Sequence, residues 1–495
     1  MTTTATAHLI PPPPPPPPVA VAQPPRRTPP RWGTQTGFFQ RHQPAFWLFV
    51  GLLTVGVLYG LYEQWREIGR SPAGWVLGWL LLLLYAVPAA LIIRWLDSYE
   101  KEPRSMLIAA FAWGFFGATF FAIFGNGYWG VVITKVAGAE FAHYWTPALT
   151  APVVEESYKY IGLVMLFLIA RAEFDDLLDG FVYGAMIGLG FAVAEDLFYF
   201  ILVGGGSIVA VMMMFIFRVV LYGIYSHYLF TGIAGIGLAY FVARRTSTPW
   251  LKRFAVAAGM LMLAMLAHFV WNSPWLIDQN DIGGTIIGYL IFKGLPFLIA
   301  LILLLRLARK REDDALADAL ADETGKVGLT ARELDLLRAR TSRRRALKRV
   351  GEVAGYGAQQ LLKRFHKEQI KLALVAAAVD SVDDVALIKQ RQACQALRAQ
   401  LWQYPGAAAA LGETSDPVAP LPLDVSAQFT ANTAVVPGGA WAVPTPSWED
   451  PRRLALPPGL LLQVLEGRAP WALARSANGW VGWTDSRYLE TMPSG

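Results

Sequence analysis

One cysteine, Cys394, stands in 495 residues, which excludes an intrachain disulfide and any cysteine-rich metal cluster. Its surroundings read as an ordinary polar helix, which argues against a catalytic thiol there. Charge is scarce too. Asp, Glu, Lys and Arg make up 16% of the chain, where a soluble protein carries roughly a quarter. No HExxH or similar zinc spacing occurs. No apolar core precedes Phe46, so a cleavable signal peptide is not expected. The net charge of +6 is small and has a home in loops at a membrane surface, so no nucleic-acid partner is implied.

Apolar residues are what the chain has in excess: 54% of the total, with a mean hydropathy of +0.37. They gather between Ala45 and Leu307 in runs of about twenty, the length that crosses roughly 30 Å of hydrocarbon. The fold class expected is an all-α polytopic membrane protein of about eight transmembrane helices, with a cytoplasmic helical tail and a small C-terminal β-barrel. The spans start near Phe46, Trp75, Met106, Leu149, Leu178, Val219, Phe254 and Ile286. Ile208–Phe217 reads as an interfacial lead-in to the span at Val219. Arg218 then either snorkels to an interface or faces a polar site. Arg26, Arg27, Arg31 and Arg41, Arg94, Lys101 and Arg104, Arg171, and Arg244 to Arg253 all fall on one side. Only Arg66, Arg70 and Lys135 fall on the other. This asymmetry places both termini in the cytoplasm of a cell whose plasma membrane the chain crosses repeatedly.

The remaining organisation follows composition. Residues 1-44 form a Pro-rich tail, with Pro11 to Pro18 a polyproline II rod, and 45-307 the membrane domain. Residues 308-404 are a cytoplasmic helical region, opened by the capping-box pattern Thr330-Ala-Arg-Glu333. Its basic run Arg343, Arg344, Arg345, Lys348 and Arg349 suits either anionic lipid headgroups or a solvated helix face. Residues 405-437 read as an Ala/Pro-rich linker and 438-495 as a β domain, with Asn478-Gly479 a hairpin-turn signal.

Titratable groups inside the apolar runs carry the functional signal. Glu155, Glu156 and Lys159 share one run, and on a helix Lys159 reaches either acid. Glu195, Asp196, His227 and His268 sit in others, with Asn272 one turn beyond His268. Each such group costs at least roughly 2.5–3.5 kcal/mol at membrane depth, so together they point to one shared polar site. A lone membrane histidine is usually an interhelical hydrogen-bond partner, and a single Glu–Lys pair can be structural. The full set is harder to explain that way. Hydrolysis suits it: a carboxylate to take a proton from water, histidines to move protons or hold a metal, and an amide or ammonium for an oxyanion. Ser226 adjoins His227 along the helix and would point away from it, which disfavours a serine nucleophile. Gly180, Gly184, Gly188 and Gly190 let helices approach closely and are expected to bring Glu195 towards the Glu155/Glu156 helix. An ion-coupled transporter would use the same groups as a proton relay, and a non-catalytic receptor or scaffold is the third class. No inverted repeat favours the transporter, and a scaffold has little reason to bury these groups.

Glu155-Glu156-x-x-Lys159, Asp179-Gly-x-x-Tyr183-Gly…Gly190-Phe-Ala-x-x-Glu195, the histidine before Thr231-Gly232, and His268 before Trp271-Asn272 resemble the PrsW family of intramembrane proteases. So does Glu100-Lys-Glu102-Pro103. That family is related to the CAAX prenyl protease and bacteriocin-processing superfamily. The resemblance covers about Asp97 to Asn272 and implies cleavage of a membrane-anchored protein, anti-sigma factors being the family's best-known substrates. It assigns a general base to Glu155 or Glu156, tuning of those acids to Lys159, and completion of the site to Glu195, His227 and His268. Asn272 would orient a histidine or serve the oxyanion. Metal-free glutamate/histidine chemistry is favoured. If zinc is present, its expected ligands are Glu195, His227 and His268. Asp196 stands where many relatives have asparagine. The C-terminal segment Asn478-Gly-Trp480-Val-Gly-Trp483, followed by Tyr488-Leu489, resembles the end of a bacterial SH3-like barrel, which implies a peptide ligand.

Overall fold

The computed structural model describes residues 37–96, 101–222, 227–276, 280–321, 323, 329–379, 385–413, 433–436, 440–443, 454–456, 460–468, 470–476 and 481–491. The octaproline, Glu100, Ser226 and the Asn478–Trp480 turn lie outside the described residues. Nine helices of the membrane domain follow in order: α1 (Pro44–Arg70), α2 (Pro72–Leu96), α3 (Arg104–Ala137), α4 (Ala139–Ile169), α5 (Leu177–Val203), α6 (Ile208–Leu221), α7 (His227–Ala243), α8 (Trp250–Asn272) and α9 (Gly283–Ala321). Of these, α1, α2, α3, α5, α8 and α9 are long and apolar enough to cross a membrane, so 6 candidate spans are shown among the described residues. The expected count of about eight also needed α4 and α7. Helix α4 has 31 residues, but Glu155, Glu156 and Lys159 interrupt its apolar run. The described residues of helix α7 number 17, roughly 25 Å at 1.5 Å per residue, below the length at which a candidate span is shown.

The span start placed at Val219 is corrected. Helix α6 runs through Val219 to Leu221, and α7 opens at His227. The cause lies on α6 itself. Arg218 bonds Glu195 and Asp196 of α5, so this stretch packs back on α5.

Helix α5 is the centre of the domain. Asp176 caps it by accepting from Leu177 and Leu178 N–H, and Asp179 completes the capping box. Asp179 of the Asp-Gly motif therefore starts a helix, and Tyr183 one turn on donates to Glu102. A β-carbon at Gly180 would lie 2.2 Å from the Gly235 backbone oxygen. At Gly184 or Gly188 it would lie 2.3 Å from that of Thr231 or His227. The glycine stripe thus seats α5 on α7, the helix of His227, and not on the Glu155/Glu156 helix as expected. Helix α4 is held from the other side. Trp113, in the π-helical stretch Trp113–Ala118 of α3, donates its indole N–H to Tyr158 O at 3.0 Å and fills the space over Gly162.

Helix α9 carries the chain through residue 307 without a break. Helices α10 (Ala331–Leu337), α11 (Arg340–Ala378, kinked at Gly355, φ 84°), α12 (Val385–Leu401) and α13 (Ala407–Leu411) build a second core around Leu334, Val350, Phe365 and Leu401. The Thr330–Glu333 capping box forms. Helix α13 buries Ala407 and Leu411 there, within residues read as linker. Cys394 is fully buried in this core, and burial pushes its thiol up to about 12. Seven strands follow: β1 (Thr433–Val436), β2 (Ala440–Val443), β3 (Leu454–Leu456), β4 (Leu460–Arg468), β5 (Trp471–Ser476), β6 (Val481–Asp485) and β7 (Glu490–Thr491). They form one antiparallel sheet in the order β3-β2-β6-β5-β4-β1-β7. This corrects the expected barrel. Among the described residues the edge strands β3 and β7 are three and two residues long and do not pair, so the sheet is not a closed barrel.

Candidate active site

The titratable residues picked out along the sequence meet where α4, α5, α7 and α8 converge. On α4, Glu156 is saturated. Its Oε1 accepts from Lys159 Nζ at 2.8 Å and from His268 Nδ1 at 3.0 Å, and its Oε2 accepts from Thr231 Oγ1 at 3.0 Å. Glu155 is not. Its Oε1 accepts from Asn126 Nδ2 at 3.0 Å, while the buried Oε2 accepts no hydrogen bond among the described residues and lies 3.5 Å from Lys159 Nζ. Lys159 is fully buried, with its ammonium 3.9 Å from the Phe191 ring centroid, a cation–π contact out of water.

The hydrogen bonds settle both imidazole tautomers. An ammonium only donates, so His227 Nδ1, 2.9 Å from Lys159 Nζ, accepts. His227 Nε2 then carries the proton and donates to Glu195 Oε2 at 2.8 Å. An ionised carboxylate only accepts, so His268 Nδ1 carries the proton toward Glu156 and Nε2 is left as a lone pair. His227 Nδ1 and His268 Nε2 each lie 3.9 Å from Glu155 Oε2.

Metal ligands of this kind belong to the site's chemistry, and the donor set meets them in three respects. Glu155, His227 and His268 offer three atoms within 4.8 Å of one another, all buried. One of them, His227 Nδ1, would have to exchange its hydrogen bond from Lys159 Nζ for the ion. Each histidine has its other nitrogen on a carboxylate, the arrangement that orients metal-binding imidazoles. Glu155 Oε2 is a buried acceptor without a donor.

A family model described as "PrsW family intramembrane metalloprotease" matches residues 102–304. Protease PrsW of Bacillus subtilis (strain 168) is 31% identical over 169 residues, covering 33% of this chain and 70% of the relative. The chain belongs to the PrsW family. Protease PrsW of Geobacillus kaustophilus (strain HTA426) is 28% identical over 196 residues, covering 39% of this chain and 76% of the relative. No solved structure matches the chain. The protein is therefore an intramembrane protease and a multi-pass membrane protein, and neither the transporter nor the scaffold reading is needed.

Within this PrsW-family site, two expected placements differ. The three donors that converge include Glu155 in place of Glu195, because Arg218 Nη2 holds Glu195 Oε2 at 3.1 Å beside its bond from His227. Asn272 does not meet His268. Its Nδ2 donates to Pro147 O at 3.2 Å and ties α8 to α4. Asp196 accepts from Arg218 Nε at 2.9 Å, so the acid at the asparagine position serves an ion pair. His143 is exposed on α4, away from this cluster. Sequence reasoning missed Asn126 and gave Thr231 no role. The available signal for Asn126 was the only side-chain amide in α3, within Gly125-Asn126-Gly127.

Proposed function

We propose that the protein hydrolyses a peptide bond of a membrane-anchored protein, a regulator of the anti-sigma-factor kind, with Glu155, His227 and His268 as donors to a zinc ion. The observation that carries this is the convergence of Glu155 Oε2, His227 Nδ1 and His268 Nε2, with both imidazoles oriented by carboxylates behind them. When bound, the ion would supply an electrophile for the scissile carbonyl and lower the pKa of its water. Glu156 holds His268 and Lys159 in place, and Lys159 is the cation that would stabilise a developing oxyanion. Glu195, 24% exposed where Glu155 is 6% and Glu156 is 0%, is the carboxylate able to exchange a proton with the open side of the site.

One observation favours a second, metal-free reading. Lys159 Nζ already stands 2.9 Å from His227 Nδ1 and 3.5 Å from Glu155 Oε2, among the same donors. There the ammonium would be the resident cation and Glu155 Oε2 the general base. Chelation separates the two: lost cleavage, restored by zinc, supports the first, and chelator-resistant cleavage supports the second. The membrane crossings are proposed to number eight, counting α4 and α7, with both termini cytoplasmic. A peptide ligand for the C-terminal sheet is proposed on the SH3 resemblance alone, and Ile388 of α12 already packs against Trp471 and Trp483 there.

A further inference from the structure

We infer that Asn126 of α3 is a positioning residue for Glu155, turning that carboxylate so that its Oε2 faces the two histidines. The inference rests on the reading of Glu155 as a metal donor. Asn126 Nδ2 donates to Glu155 Oε1 at 3.0 Å, and this is the only side-chain hydrogen bond Asn126 makes among the described residues. Its Oδ1 is buried and accepts nothing among the described residues, so Glu155 is the one side chain this amide engages there. The amide orientation follows from chemistry, because the reversed amide would set oxygen against carboxylate oxygen. With Oε1 fixed, Oε2 is the oxygen left 3.9 Å from both His227 Nδ1 and His268 Nε2.

The local sequence explains how a polar side chain reaches this point. Gly125 has no room for a β-carbon, which would lie 2.6 Å from Val154 Cγ1, so α3 and α4 close up one residue before the Asn126–Glu155 pair. All three donors thereby have an outer partner: Asn126 for Glu155, Glu195 for His227 and Glu156 for His268. Loss of such a partner typically weakens metal binding 10–100-fold.

The test titrates the purified full-length protein in detergent with zinc against a chromophoric chelator, and separately records the visible spectrum with cobalt. Asn126→Leu should bind zinc about 10–100-fold more weakly than wild type, with an altered cobalt spectrum and an unchanged unfolding midpoint. Asn126→Gln, which keeps the N–H donor, should recover part of the affinity. Equal zinc affinity and identical cobalt spectra in wild type and Asn126→Leu would overturn the inference and leave the metal reading standing. Wild-type protein that binds neither ion would overturn the metal reading and this inference with it. Should Asn126→Leu not fold, a full loss of affinity in a folded Asn126→Gln protein would count against the donor role.

Discussion

Replacing Glu155 and Glu156 by glutamine one at a time separates a reactive carboxylate from a structural one, although they are neighbours on one helix. Glu156 accepts from Lys159, His268 and Thr231 and has no exposed surface on its side chain. Glutamine there removes the charge facing a buried ammonium and turns an N–H toward at least one donor. Breaking a buried pair from one side costs about 3–5 kcal/mol. Glu155→Gln is milder. The amide oxygen can still accept from Asn126, and the contact to Lys159 is already long at 3.5 Å, so the loss should be about 1 kcal/mol. Cleavage should show the distinction. Glu155→Gln removes a metal donor or a base and should lose at least about 100-fold in rate while staying folded. The assay pairs thermal unfolding in detergent with cleavage of a membrane-anchored substrate in vesicles. Wild-type turnover by Glu155→Gln would refute the reasoning, as would a Glu156→Gln protein as heat-resistant as wild type.

Further outcomes follow from other parts of the chain. Arg218→Gln should release Glu195 and lower cleavage more than Asp196→Asn does, because Arg218 meets His227 through Glu195; equal losses in the two variants would contradict that route. Cys394 should resist alkylation in the native protein. Burial raises its thiol to about 12, so it is protonated at neutral pH; rapid labelling without denaturant would refute its burial. Reporter fusions after Leu307 and within the Arg244–Arg253 loop should both read cytoplasmic, and external proteolysis of the tail in intact cells would overturn the proposed orientation.

The site was legible where burial makes a residue costly. Glu155, Glu156, Lys159, Glu195, His227 and His268 each stand out in an apolar run because charge and imidazole are expensive there, and the fold brings all of them together. Division of labour among them was not legible. Whether Glu155 or Glu156 keeps an oxygen available depends on Asn126, Thr231 and His268, which come from three other helices. Asn126 itself escaped notice because one amide between glycines carries no charge and costs little to bury. The glycine stripe announced close packing but not its partner: spacing places Gly180, Gly184 and Gly188 on one face, and only the tertiary fold shows that α7 covers it. Helices α4 and α7 stand outside the six candidate spans for a related reason. There the polar groups of the site shorten or interrupt the apolar runs that hydropathy relies on.

The central claim, that this cluster cleaves peptide bonds with water, is tested most directly on a reconstituted protein–substrate pair in ¹⁸O-water. Comparison of membrane proteomes with and without the protein supplies the shortened candidate, and mass spectrometry then reads the new carboxyl terminus. The account predicts one solvent ¹⁸O in that carboxylate with wild-type protein, and no shortened product with Glu155→Gln or His268→Ala. Cleavage that persists in both variants, or no membrane protein shortened by the wild type, would contradict it.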